Sequence, residues 1–320
     1  MKKSFIFPGQ GSQTVGMLKD FYDNFAAAKQ MFEMANDFLG KDIKTLMFDG
    51  PEEVLTRTEN AQPAIMLGSA VTLEILKGET GKTIDELCDF TAGHSLGEYS
   101  ALCAAGVLNL EDSLKLLKIR GEAFAEAGKS NPGSMVALIG ASIEQSEDVA
   151  NKARLNGEIL QVANDNTAGQ TVLSGNKNSI AKAIDVAKEM GIKKVVPLPV
   201  SGAFHSELMR PATAIMSEAL GRATFSEPLV RVMANYTADA EEFGEIKNNL
   251  IKQITARVRW RETMLNMEKY GSEMFVELGN GKVLSGMVGR TCPNVKSFSI
   301  NSPDALKEFI NLINNEEKPC

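Results

Sequence analysis

CDFTAGHSLGEYSALCAAG, residues 88–106, sets one serine between two glycines where a strand runs into a helix. CDFTA (88–92) reads as a short buried strand, and residues 98–105 as a helix of small side chains. The pentapeptide Gly93-His94-Ser95-Leu96-Gly97 fits the G-x-S-x-G pattern of a nucleophile elbow. In such an elbow the strand turns sharply into the helix, and a glycine on each side removes the side-chain clashes that would forbid the turn. The hydroxyl then stands clear of the sheet edge, and the backbone N–H after it faces the same space. A glycine-flanked serine that merely opens a helix is the alternative until a base is found.

The elements on either side of this elbow suggest the rest of the fold. SFIF (4–7) is a strand that runs into Pro8-Gly9-Gln10-Gly11-Ser12-Gln13. Helical patterns follow at 20–39, 51–57 and 62–77, and an amphipathic helix at 110–127 follows the elbow. Strands alternating with helices on this scale predict a parallel sheet covered by helices. Past Gly128 the rhythm changes to a strand at 134–139, a helix at 143–154 and strands at 159–163 and 170–174 around a turn-rich NDNTAG. A helix at 179–190 and a strand at 193–198 complete a β-α-β-β-α-β order, the ferredoxin-like pattern. The fold class expected is α/β. A large, α/β-hydrolase-like domain is formed by 1–128 and 202–320, and a ferredoxin-like domain is inserted at 129–201 between Gly/Pro-rich borders. A cleft between the two would be a natural binding site. Strands at 273–278 and 296–300, a glycine-rich turn at 279–286 and a helix at 303–313 with a polar tail close the chain.

Composition narrows the function. The 320 residues are 43% apolar, ample for a large core, and carry a net charge of −7. That balance argues against a general nucleic-acid binder and a membrane-surface protein. The four cysteines, Cys88, Cys103, Cys292 and Cys320, show no C-x-x-C spacing, so neither a disulfide framework nor a metal site is expected. The apolar run before Pro8 is shorter than the roughly 7–15 residues of a signal peptide, and none approaches the roughly 20 of a membrane span. A cytoplasmic protein is expected.

A serine nucleophile needs a general base, and the chain has only two histidines. His94 lies inside the elbow, where its side chain would point away from that of Ser95. His205, in VSGAFHSELM, follows small residues and precedes a helix at a domain border, and is the better base. No acidic residue obviously orients it, so a Ser/His dyad with the imidazole held by a carbonyl or amide group is expected instead of a triad. GQGSQTVG has threonine where a dinucleotide loop needs its third glycine. In the helix at 110–127, Arg120 sits at the edge of the stripe formed by Leu114, Leu117, Gly121 and Phe124. It is either a snorkelling arginine or a cation awaiting a carboxylate.

Four motifs in order, GQGSQ (9–13), GHSLGEY (93–99), GAFHS (202–206) and ELGNGKVLSG (277–286), resemble the malonyl-CoA:acyl-carrier-protein transacylase family along essentially the whole chain. The resemblance implies ping-pong transfer of malonyl from malonyl-CoA to the phosphopantetheine thiol of an acidic acyl carrier protein in fatty-acid synthesis. It implies Ser95 as nucleophile, His205 as base and acid, and the Leu96 and Gln10 N–H groups as the oxyanion hole. Gln253 would accept the imidazole N–H through its main chain, Arg120 would hold the malonate carboxylate, and Phe204 matches the malonyl-type pattern. No cofactor is expected beyond the thioester substrate, and a monomer is expected although nothing in the residues fixes the oligomeric state. Arg257 and Asn280 stand where prolines are common in the family. Lys188, Lys193 and Lys194, or Arg257, Arg259 and Arg261, are candidate contacts for the carrier. A trans-acting polyketide acyltransferase shares the same chemistry. A serine thioesterase or esterase is a further alternative, which a carboxylate clamp at Arg120 disfavours.

Overall fold

The computed structural model describes residues 1–316, with the side chain of the last of these left aside. Cys320, counted above with the scattered cysteines, lies outside the described residues. In chain order the strands are β1 (Lys3–Phe7), β2 (Phe90–Gly93), β3 (Gly133–Ile139), β4 (Leu160–Thr167), β5 (Gln170–Asn176), β6 (Lys194–Pro197), β7 (Arg231–Met233), β8 (Met274–Leu278) and β9 (Lys296–Ile300). Two compact units emerge among the described residues: 1–118 with 223–233 and the chain from 267 onward, and 119–222 with 234–266. The second takes in 119–128, 202–222 and 234–266 in addition to the span expected for the inserted domain.

The first unit is built on a five-stranded sheet, β7-β2-β1-β8-β9, in which every pair is parallel. Parallel sheets are covered on both faces, so their strands read as continuous apolar runs instead of alternating ones. Phe5, Ile6 and Phe7 of β1 are all buried, as are Phe275 and Val276 of β8. The helix Thr58–Thr80 is buried along most of its length and carries Pro63 inside its second turn. The expected helix at 20–39 is broken at Phe25, whose extended backbone separates Lys19–Asn24 from Ala26–Leu39. Edge strand β7 went unread because three residues are too few to show a period.

The second unit holds a four-stranded antiparallel sheet in the order β4-β5-β3-β6. Helices Ile143–Ala153 and Lys177–Glu189 supply Val149, Ile180 and Ala183 to a core shared with Val136, Leu138, Leu160 and Leu173. The turn expected at NDNTAG is mostly strand: β4 continues to Thr167 through two register shifts. Bulges let a strand keep pairing where its sequence looks like a loop. The segment after the helix Ile246–Gln253 then borders β4, with the Val258 N–H donating to Ala163 O at 2.8 Å and the Asp165 N–H to Val258 O at 3.0 Å.

Candidate active site

In the first unit β1 and β2 pair side by side, Phe7 against Gly93, so the loops leaving their C-terminal ends are neighbours. Ser95 sits in one of them with φ of 55°, the left-handed region that side chains avoid. The glycines explain how the turn exists. A Cβ on Gly93 would lie 1.9 Å from the Gly97 backbone, one on Gly97 2.3 Å from Phe7 O, and one on Gly9 2.6 Å from His94 O. The helix Gly97–Ala104 has Leu96 at its N-cap, whose apolar side chain makes no capping bond. Ser95 precedes that cap by one residue and accepts the Glu98 N–H through its main-chain oxygen at 3.1 Å. Among the described residues neither the Leu96 N–H nor the Gln10 N–H has an acceptor. His94 is tied into the turn, donating its N–H to Phe7 O at 3.1 Å and accepting from the Gly97 N–H at 2.9 Å.

The strand order reverses direction between β1 and β8, the place where open parallel sheets bind ligands beyond their C-terminal ends. Here Asn280 accounts for itself. Its Nδ2 donates to Ser12 O at 2.5 Å and to Thr14 Oγ1 at 3.0 Å, tying the β8 turn to the glycine loop that carries Gln10. A proline at this position has no side-chain donor with which to do so. The turn expected at 279–286 gives way at Val283 to a helix, Val283–Thr291. The Glu277 carboxylate receives the N–H groups of Leu284 and Ser285 at 3.1 and 2.7 Å. Burial pushes its carboxyl up from the ordinary value, and these N–H groups oppose the shift.

The second unit gathers Arg120, Phe204, His205 and Gln253 from three separate stretches of chain. His205, 4% exposed with φ of 56°, places Nδ1 2.8 Å from the main-chain oxygen of Gln253. A carbonyl only accepts, so Nδ1 carries the proton and Nε2 keeps its lone pair, the tautomer a general base needs. The Gln253 side chain serves Arg120, whose Nη2 donates to Oε1 at 2.9 Å. One residue thus orients both the imidazole and the guanidinium. Arg120 does not snorkel: it is 1% exposed, with Cζ 4.3 Å from the Phe124 ring centroid. Phe124 also meets Phe204 at 5.4 Å and His205 edge-on at 6.5 Å, making a hydrophobic wall along the pair.

Sequence reading passed over Gln161. From β4 its Nε2 donates to His205 O at 3.3 Å and to Thr255 O at 3.0 Å, while its Oε1 accepts the Glu207 N–H at 3.2 Å. It clamps the histidine loop to the segment after Gln253. The only signal was one amide in an otherwise apolar strand start, ILQVA. Gln161→Leu should lower kcat about tenfold with KM little changed, because each lost bond is worth about 1 kcal/mol and the loss falls on the imidazole's placement. Steady-state kinetics and the pH profile of kcat check this, and an unaltered kcat would reduce Gln161 to a loop brace.

The arginines at 257–261 are committed elsewhere. Arg257 pairs with Glu147 at 2.9 Å, Arg259 with Glu262 at 2.5 Å, and Arg261 with the buried Asp165 at 2.9 Å. This group is largely neutralised as a docking patch. Lys188, Lys193 and Lys194 have no ion pair among the described residues.

The first unit thus carries a serine strained into a glycine elbow on a parallel sheet, and the second a buried imidazole whose Nδ1 meets a main-chain carbonyl. The chain belongs to the acyl transferase domain family, which matches residues 4–301. It is 41% identical over 316 residues to the malonyl CoA-acyl carrier protein transacylase of Bacillus subtilis, covering 98% of each chain. The Escherichia coli protein of the same name is 36% identical, over 97% of this chain and 99% of that one. The acyl-carrier-protein-S-malonyltransferase of Bartonella henselae superposes with a TM-score of 0.95 at 39% identity, covering 98% of this chain and 100% of that one. A malonyl-transacylase solved in complex with a type II PKS acyl-carrier protein superposes with a TM-score of 0.93 at 33% identity, covering 98% and 100%.

Proposed function

We propose that this protein transfers malonyl from malonyl-CoA to the phosphopantetheine thiol of an acyl carrier protein. The observation that carries the reading is Gln253 holding His205 through its carbonyl and Arg120 through its side chain, which couples a base to a carboxylate receptor. Ser95 Oγ attacks the thioester carbonyl as His205 Nε2 takes its proton, and the oxyanion is received by the Leu96 and Gln10 N–H groups. The coenzyme A thiolate leaves and recovers that proton from the imidazolium. The carrier thiol then attacks the Ser95 ester, and the same two groups exchange the proton in reverse. Arg120 takes the malonate carboxylate, with Phe204 and Phe124 walling the pocket. The thioester supplies the activated acyl group, so no cofactor enters.

In this reading the first unit is α/β-hydrolase-like and the antiparallel sheet with its two helices ferredoxin-like. The unpaired lysines 188, 193 and 194 are favoured over the arginines for meeting an acidic carrier. A cytoplasmic location fits a carrier-loading enzyme of fatty-acid synthesis, and no helix of the described residues is long and apolar enough to cross a membrane. A relative solved with a polyketide carrier makes that class of carrier the second substrate to assay.

Intact mass after mixing with malonyl-CoA should show one malonyl adduct, mapped to Ser95. His205→Ala should slow its formation about 10²–10⁴-fold, whereas His94→Ala should cost far less. Equal losses in two folded variants would mean that the base is not His205.

A further inference from the structure

Strand β1 lies between β2 and β8, so the loop that leaves it, residues 8–13, has the elbow on one side and the β8 turn on the other. On the elbow side the hold is steric, since a Cβ on Gly9 would come within 2.6 Å of His94 O. Residues 9–12 form a tight turn. Ser12 closes it twice, donating its N–H to Gly9 O at 3.4 Å and its hydroxyl to the same oxygen at 2.9 Å. Gly11, third in the turn, has φ of 99°, the positive value that the third position of a type II turn takes. Gln10 is second, and the closing bonds leave its N–H unused. On the other side the hold is a single amide. Asn280 Nδ2 donates to Ser12 O at 2.5 Å and to Thr14 Oγ1 at 3.0 Å. Its own turn is braced in three places: Ser69 Oγ donates to Leu278 O at 3.0 Å, Asn301 Nδ2 to Gly281 O at 3.0 Å, and the Gly279 N–H to Ile300 O at 3.3 Å. Asn280 thus reaches from a fixed support to the residue that closes the Gln10 turn.

We propose that Asn280 is a positioning residue that holds the Gln10 N–H at its place in the oxyanion hole. This role rests on the transfer reaction proposed above and deepens it by naming what sets one of the two donors. A main-chain N–H is aimed by whatever holds its turn, not by its own side chain. Oxyanion donors are effective because they are fixed in advance where the charge develops. Ser12 alone closes the turn with one long bond and one short one, around a glycine whose backbone is the freest in the chain. The amide of Asn280 takes up that freedom from the side opposite the elbow. Such a group acts on the transition state and not on thioester binding, so its loss should lower kcat and kcat/KM together and leave KM unchanged.

A double-mutant cycle reads the coupling. Gln10→Pro deletes the N–H, and proline suits the second position of a type II turn. It should lower kcat about 10²–10³-fold, the effect of removing one oxyanion donor. Asn280→Ala should lower kcat about tenfold with KM and Tm little changed, because a small misplacement of a catalytic donor suffices for that. Asn280→Asp, which keeps the side chain's shape and loses its donor, should do the same. In the Gln10→Pro background Asn280→Ala should cost nothing further, because the donor it places is gone. A brace with only a structural role would lose its tenfold in both backgrounds, and that additivity would overturn the proposal, as would full kcat in Asn280→Asp. Unaltered kcat in Gln10→Pro, with the malonyl adduct on Ser95 still forming, would remove Gln10 from the oxyanion hole and this role with it, and leave the transfer reaction standing. Absence of that adduct in the unmodified protein would instead refute the reaction itself.

Discussion

Ser95→Ala should give a folded protein that forms no malonyl adduct and whose transfer rate falls on the order of 10⁴-fold or more, the scale at which removal of a serine nucleophile stops covalent catalysis. The fold should survive because the strain at this position is backbone strain. Serine and alanine both carry a Cβ, so the left-handed φ of 55° is no harder to hold after the change. The contacts that force the turn, Gly93 on Gly97 and Gly97 on Phe7 O, belong to the flanking glycines and remain. Intact mass spectrometry with malonyl-CoA, beside a thermal melt, makes the measurement. An adduct that persists in the variant would put the acyl group on another side chain and end the assignment of Ser95.

Arg120→Ala should invert selectivity. The guanidinium is buried, with Cζ 4.3 Å from the Phe124 ring centroid and Nη2 donating to Gln253 Oε1, so the protein holds it in place without a substrate. A carboxylate received by such a fork gains bidentate, charge-assisted bonds. Removing the cation would leave malonate's carboxylate buried beside neutral groups, which costs about 3–5 kcal/mol when one partner of a buried pair is deleted. At 1.36 kcal/mol per tenfold, kcat/KM for malonyl-CoA should drop roughly 10²–10⁴-fold. Acetyl-CoA brings no carboxylate, so its transfer should hold or rise. The ratio of kcat/KM for the two thioesters, measured in both proteins, decides it. An unchanged ratio would mean that Arg120 only supports the Gln253 segment and that the carboxylate is bound elsewhere.

Much of this protein could be read from the chain alone. The elbow was legible because its geometry depends on glycine at fixed spacing, and each required glycine leaves a mark in the sequence. The parallel sheet was legible through apolar runs with helices between them. With only two histidines present, the search for a candidate base reduced to a question of which one lay outside the elbow. The helix break at Phe25, the strand hidden in NDNT and the three-residue edge β7 escaped because packing, bulges and pairing to a neighbour decided them, not local preference.

What only tertiary structure could decide is which polar groups meet. Arg120 could still be read as a snorkelling surface residue until its burial against Phe124 was seen. Gln253 acts through a carbonyl that every residue possesses, so its identity carries no trace of its bond to His205, and Gln161 reaches across 44 positions to the same loop. Asn280 and Arg257 looked like departures from a family pattern, and proved to be a tie to Ser12 and an ion pair with Glu147. Periodicity and glycine spacing are local and survive in the sequence. Hydrogen bonds between residues far apart in the chain depend on where the backbone returns, and that is fixed only when the whole chain packs.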